Sequence, residues 1–207
     1  MKNLIVIGVV GQIASGKGIL VNYLIEKLGF SSFSLSSIVH AELQKRGVKK
    51  YTRQALQDMG DELRQKEGDD VLARRIIDLI LHKRYNDYKF YKNYNDYKRM
   101  FCVIEGIRNP GEVKFLKKNP NFILIGVKSK RELRFQRLLS RGKEWDPKTY
   151  EDFLKVDRRD IGIGQDKSGQ QVGKCLAYCD YVLTNNKGLE DFERKVDKLM
   201  RKIKANT

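Results

Sequence analysis

The chain has 207 residues and a formal charge of +16, from 42 Lys plus Arg against 26 Asp plus Glu, a length that suits one domain with a sizeable core. Three Cys and two His assemble neither a disulfide framework nor a zinc set, and the apolar run at residues 4–10 is too short to span a bilayer. The expectation is an unprocessed, soluble, cytoplasmic protein with reduced thiols, whose basic balance favours a polyanionic partner without specifying a fold.

Residues 4–10 are branched and apolar and bounded by glycine, the pattern of a strand buried on both faces. After a glycine-rich turn, Ile19, Leu20, Tyr23, Leu24 and Leu28 recur at helical spacing until Gly29 ends the helix. A short second strand is expected at 33–35. Thr52 is placed to cap a helix over 53–66, and residues 68–70 break the chain before another over 71–83. Residues 101–104 read as a third strand, and Asn109-Pro110 as a cap followed by proline at the first helical position. A fourth strand is expected at 122–127. Ser129 and Glu132 have capping-box spacing, Asp146-Pro147 reads as the opening of a further helix, 181–183 as a fifth strand and 189–204 as an amphipathic helix. Strands alternating with helices predict a single α/β domain, a parallel sheet covered on both faces.

One segment breaks this rhythm. Tyr-Asn-Asp-Tyr-Lys occurs at 85–89 and again at 94–98, with Tyr85, Tyr88, Tyr91, Tyr94 and Tyr97 every third residue. Without aliphatic residues it cannot form core, and it reads as an exposed basic insertion at about 84–99 that extends the preceding helix. Rings interleaved with lysines suit single-stranded nucleic acid, so residues 83–99 make nucleic acid a candidate partner. A solvated insertion of biased composition has the same appearance.

The chemistry is concentrated in Gly11-Gln12-Ile13-Ala14-Ser15-Gly16-Lys17-Gly18, which leaves a strand and enters a helix. Glycines there turn backbone N–H groups toward an anion, the new helix presents its positive end, and Lys17 brings a mobile charge to terminal phosphates. Nucleoside triphosphate binding is therefore expected at Gly11, Ile13, Ala14, Ser15, Gly16, Lys17, Gly18 and Ile19. Gly18 stands where a Ser or Thr hydroxyl commonly ligates Mg2+. The Lys17-Gly18 pair resembles the P-loop nucleoside monophosphate kinases, whose loop continues with Thr where this chain has Ile19. The resemblance implies ATP and Mg2+ as cofactors, the metal being held mainly by phosphates and water, with no direct protein ligand assigned.

Residues 101–108, ending in Glu105-Gly106-Ile107-Arg108, resemble the Asp-Gly-x-x-Arg element of the same superfamily. The continuation through Asn109-Pro110-Gly111-Glu112 looks like the branch holding dephospho-CoA kinase-like and deoxynucleoside monophosphate kinase proteins. The resemblance implies a P-loop kinase fold, with a five-stranded parallel sheet, helices on both faces and a helical lid at about 134–171. It makes Glu105 the acid beside the phosphates and Arg108 a ligand of the acceptor phosphate. Arg134, Arg137 and Arg141 share one helix face, and Arg137, Arg141 and Arg158 are carried over as lid arginines that clamp a transferring phosphoryl group. Arg64 and Ser36 fall in the acceptor region, and Asn185 follows the last strand, where the nucleotide base is approached. The glycine-rich stretch 162–172 is expected to order on ligand binding.

A hydroxyl acceptor needs a base, whereas a phosphate monoester arrives ionised and needs positioning. Dephospho-CoA kinases place an aspartate after the second strand, and this chain has Ser34-Leu35-Ser36-Ser37 there. That favours an ATP-dependent kinase of a (deoxy)nucleoside monophosphate. A dephospho-CoA kinase using Glu105 as base is the alternative, and a nucleic-acid-binding NTPase or nucleotide sensor without kinase activity is the alternative of another class.

Overall fold

The computed structural model describes residues 4–90 and 100–205. Strand β1 (Leu4–Gly11) is central in a five-stranded sheet of order β2-β3-β1-β4-β5, with β2 at Ser31–Ser34, β3 at Met100–Glu105, β4 at Phe122–Lys128 and β5 at Tyr181–Thr184. Every pairing is parallel, and the register sets Val9 beside Glu105 and Gly11 beside Val127, so the chemistry-bearing ends of β1, β3 and β4 share one edge. In open α/β sheets that carboxyl edge is where ligands bind.

Alternation along β1 feeds two cores, as its apolar run requires. Ile7 and Val9 pack with Leu20, Val21 and Leu24 of α1 (Lys17–Leu28) and with Phe192, Val196 and Met200 of α9 (Leu189–Ala205). Val6 and Val10 join the core made by α2 (Leu35–Lys45), α3 (Arg53–Glu67), α4 (Val71–Phe90), α5 (Pro110–Leu116) and α8 (Val172–Ala177). Gly8 has no side chain because Phe122 needs the space: a Cβ at Gly8 would lie 2.5 Å from the Phe122 ring. A third, small cluster of Ile13, Leu138 and Phe153 ties the loop after β1 to α6 (Arg131–Arg141) and α7 (Tyr150–Ile161), the two helices of the expected lid region. Fully burying Phe153 contributes roughly 1.5–3 kcal/mol to that attachment.

The expected caps of α3 and α5 are present. Thr52 accepts from the Ala55 N–H at 3.2 Å, and Asn109 forms a capping box with Glu112 ahead of Pro110. Two expected starts are corrected. Ser129 does not cap α6, because its hydroxyl donates to the Asn185 carbonyl at 2.7 Å and the helix begins after Lys130. Asp146 does not open α7, which starts after Thr149, because its carboxylate is drawn into ion pairs with Arg141 and Arg53. Helices α2 and α8 were not expected, and the second strand ends before Leu35 so that α2 can begin. Helix α4 runs on through residues 84–90, the first part of the expected insertion; residues 91–99 lie outside the described residues.

Candidate active site

The loop between β1 and α1 has the backbone of an anion cradle. Ala14 (φ 56°) and Gly16 (φ 100°) are left-handed, and the turn is closed by the Ser15 N–H on the Gln12 carbonyl at 3.1 Å. Left-handed residues next to the N-terminus of a twelve-residue helix turn successive N–H groups inward, which fits a polyphosphate. Gly16 also admits a neighbour: a Cβ there would sit 2.1 Å from Asn185 Nδ2. Gly18 is exposed with open space around it, and Ile19 packs toward the α1/α9 core, so neither offers a metal ligand. Ser15 is buried, and its Oγ has no hydrogen-bond partner among the described residues.

Lys17 folds back on this loop, its Nζ donating to the Gly11 carbonyl at 2.6 Å and the Gln12 carbonyl at 2.8 Å. Burial pushes its amine down to about 7, the charge of Arg108 and more weakly that of Arg53 push the same way, and Asp160 and Glu105 oppose them. Two guanidiniums and two carboxylates thus surround the lysine. Arg108 NH1 donates to Asp160 Oδ1, with Gln170 Oε1 at 3.5 Å. Arg53 donates to Asp146 at 3.1 Å, and burial followed by the Arg108 charge lowers its pKa. Glu105, at the end of β3, has no hydrogen-bond or ion-pair partner among the described residues. Beside it, Gly106 (φ 82°) lets the start of α2 approach, since a Cβ would lie 3.2 Å from the Ser36 nitrogen; the Ser36 hydroxyl shares a 2.8 Å hydrogen bond with that of Ser34.

The lid arginines divide by partner. Arg141 grips Asp146 through Nε at 2.6 Å and NH2 at 2.8 Å. Arg134 is buried in a two-pronged pair with Asp157. Arg137 meets only neutral acceptors, Ser129 Oγ at 3.0 Å and the Asn185 carbonyl oxygens at 3.1 and 3.3 Å, and burial lowers its pKa. It is a cation beside the loop with no carboxylate partner among the described residues.

Three expected roles meet different surroundings. Arg64 is 2% exposed, and its guanidinium is taken by Glu112 at 2.9 Å and Asp61 at 3.1 Å rather than left open toward an acceptor. Arg158 is exposed, and two residues of helix turn it about 200° away from Asp160, which faces the cleft. Asn185 is buried and braces the loop, donating Nδ2 to the Ser15 carbonyl at 3.1 Å while Arg137 holds its oxygen, so its amide is not free for a base. Sequence reasoning missed Arg53, Asp146, Asp160, Gln57 and Gln170. One signal was legible for Asp160: Asp157 and Asp160 are three apart, which puts two acids on the face of α7 opposite Arg158.

Comparison with protein-family models finds no match. Against curated proteins, the chain is 30% identical over 204 residues to the UPF0200 protein of Pyrococcus horikoshii, covering 97% of this chain and 98% of that protein. The chain belongs to the UPF0200 family. A UPF0200 protein of Methanothermobacter thermautotrophicus is 31% identical over 205 residues, covering 97% of this chain and 92% of its own. Among solved structures, the UPF0200 chain is similar to a dephospho-CoA kinase from Campylobacter jejuni, with TM-score 0.52, 20% identity and coverage of 99% and 100% of the two chains. It is likewise similar to a Thermus thermophilus protein, with TM-score 0.56, 19% identity and coverage of 97% and 98%. Likeness at these identities is one of fold, and the UPF0200 chain has the P-loop kinase fold that Lys17-Gly18 and Glu105-Gly106-Ile107-Arg108 led one to expect. Among the described residues, no helix is long and apolar enough to cross a membrane.

Proposed function

We propose that this UPF0200 chain is a cytoplasmic kinase that transfers the terminal phosphoryl group of ATP to a phosphate monoester, of the (deoxy)nucleoside monophosphate class. The observation that carries the reading is the convergence of Lys17, Arg53 and Arg108, close enough that Arg108 depresses the pKa of both others. Like charges gathered at a sheet's carboxyl edge resist burial unless dense negative charge compensates them. The loop of Gly11, Ile13, Ala14, Ser15 and Gly16 takes the ATP phosphates, with Lys17 swinging out of its carbonyl contacts to reach them. Arg53 and Arg108 take the acceptor phosphate. Arg137, without a carboxylate partner among the described residues, supplies lid charge to the group in transfer, as forked guanidiniums do.

Mg2+ would be held by phosphates and water with Glu105 as the nearby carboxylate, and it would neutralise developing charge. An ionised phosphate acceptor needs no base, which agrees with Ser34 and Ser36 where a catalytic aspartate would stand. The second reading, a dephospho-CoA kinase, is favoured by the unpartnered Glu105, which would then accept the hydroxyl proton. Incubating the protein with ATP, Mg2+ and a panel of nucleoside monophosphates and dephospho-CoA separates the two. We expect turnover with a monophosphate, abolished in Lys17→Ala; turnover of dephospho-CoA alone overturns the first reading.

A further inference from the structure

Along one face of α3, Arg53, Gln57 and Asp61 are four residues apart, and each meets the lid. Arg53 reaches Asp146 at 3.1 Å, Gln57 Nε2 donates to Gln170 Oε1 at 3.1 Å, and Asp61 receives Arg159 at 2.9 Å, whose same nitrogen lies 2.6 Å from Asp58. Arg108 and Asp160 continue the row beside Lys17. At its outer end Trp145 of the lid packs its ring 5.9 Å from His40 and 6.4 Å from Tyr51, which are themselves joined by a 2.6 Å hydrogen bond. The lid therefore rests on the acceptor side through the very cations that the proposed function gives to phosphate.

These pairs differ in quality from the other buried ion pairs. Arg134 and Asp157 match nitrogen to oxygen at both prongs, and neither Arg64 nor Glu112 leaves a buried polar atom unmet. In the row between lid and α3, by contrast, Arg53 Nε, Arg159 Nε and Asp160 Oδ2 are all buried without a hydrogen-bond partner among the described residues. Asp146 already serves Arg141 twice and Arg53 NH2 once, and none of these contacts meets Arg53 Nε. A phosphate dianion offers three terminal oxygens and more charge, and meets paired guanidiniums better than a carboxylate can. Buried donors and acceptors left unmet are costly, so this contact is one that a better anion displaces.

We infer that Asp146 and Asp160 are lid-borne surrogates for the acceptor phosphate, latching the lid onto Arg53 and Arg108 until a phosphate monoester takes those arginines from them. The inference rests on the reading of Arg53 and Arg108 as the acceptor-phosphate site. It makes the two aspartates positioning residues, and it gives the latch a chemical key, since a ligand without a dianionic phosphate cannot release it.

Trp145 is the single tryptophan of the chain and lies in the latch, so its fluorescence reports the latch directly. Acrylamide quenching and calorimetric titration with inorganic phosphate are compared for the full chain, Asp146→Asn and Asp160→Asn, the last serving if the first does not fold. Both variants are expected to bind phosphate about fivefold more tightly, and Asp146→Asn to be quenched about twofold more steeply without ligand. Phosphate binding with unchanged affinity and unchanged quenching overturns the latch alone. No phosphate binding by any of the three overturns the acceptor reading beneath it, and the surrogate role with it.

Discussion

Asn185, just beyond β5, donates its side-chain amide to the carbonyl of Ser15 at 3.1 Å, in the space that Gly16 leaves by having no Cβ. Two residues 170 positions apart thus hold the phosphate loop in its left-handed turn. Asn185→Ala is expected to weaken ATP binding about tenfold and to lower stability by about 1–2 kcal/mol, since a buried carbonyl loses its donor. Gly16→Ala adds a methyl group 2.1 Å from that amide at φ 100° and is expected to abolish nucleotide binding. Calorimetry with ATP on each variant, alongside urea unfolding, separates the two effects.

On the proposed reading, Lys17 makes nucleotide binding depend on pH. Its folded-state pKa is lowered to about 7, and polyphosphate oxygens beside the amine raise it toward the ordinary value of 10.5. Binding at neutral pH therefore takes up a proton, about half an equivalent at pH 7, and affinity for ATP falls by up to about tenfold per pH unit above that. In the free protein the sign for stability is opposite. Between about 7 and 10.5 the unfolded chain holds a proton that the native chain lacks, so this group's contribution to stability rises with pH. Titrations in buffers of different ionisation enthalpy count the protons; equal heats after buffer correction, with no uptake, would contradict the assignment.

Glu105 has no hydrogen-bond or ion-pair partner among the described residues, so on the proposed reading it serves phosphoryl transfer and is not committed to the fold. Glu105→Gln is expected to cut kcat by about 100-fold while shifting stability by less than about 0.5 kcal/mol. A large loss of stability with unchanged kcat per folded molecule would assign the residue to the fold instead.

Arg64 and Arg158 reverse the expectation from spacing. Arg64→Leu leaves Glu112 buried, with no guanidinium to meet it, and is expected to cost about 3–5 kcal/mol in urea unfolding. Whatever fraction remains folded should bind acceptor normally. Arg158→Ala, on the solvent side of α7, is expected to leave both stability and turnover within about twofold of the parent. A selective rise in KM for the acceptor in either variant would restore it to the site.

Much of the fold was legible because its signals are local. The branched run of β1, the glycine that ends α1, Thr52 ahead of α3 and Asn109-Pro110 ahead of α5 are each fixed by neighbours in sequence. The loop was legible for the same reason, since Gly11, Gly16 and Lys17 build one cradle from contiguous backbone. What could not be read is what depends on distant partners. Arg53 looked like an ordinary first-turn residue until the lid brought Asp146 to it, and Arg64 looked available until Glu112 closed over it. Ser129 had the spacing of a cap but is drawn to Asn185, 56 residues on. Charge type and spacing identify which arginines exist, while the acids across the fold decide which remain free.

The vacant side chain at Gly8 also has a consequence for how this family can vary. With the Phe122 ring 2.5 Å from where a Cβ would stand and Leu124 Cδ1 at 2.8 Å, the central strand and its neighbour share one fixed volume between them. Adding bulk on β1 demands its removal from β4, so positions 8 and 122 should drift together through the family's history. Gly8→Ala should be damaging alone and rescued by Phe122→Leu, a trade between two strands that leaves the phosphate loop three residues downstream of Gly8 where it was.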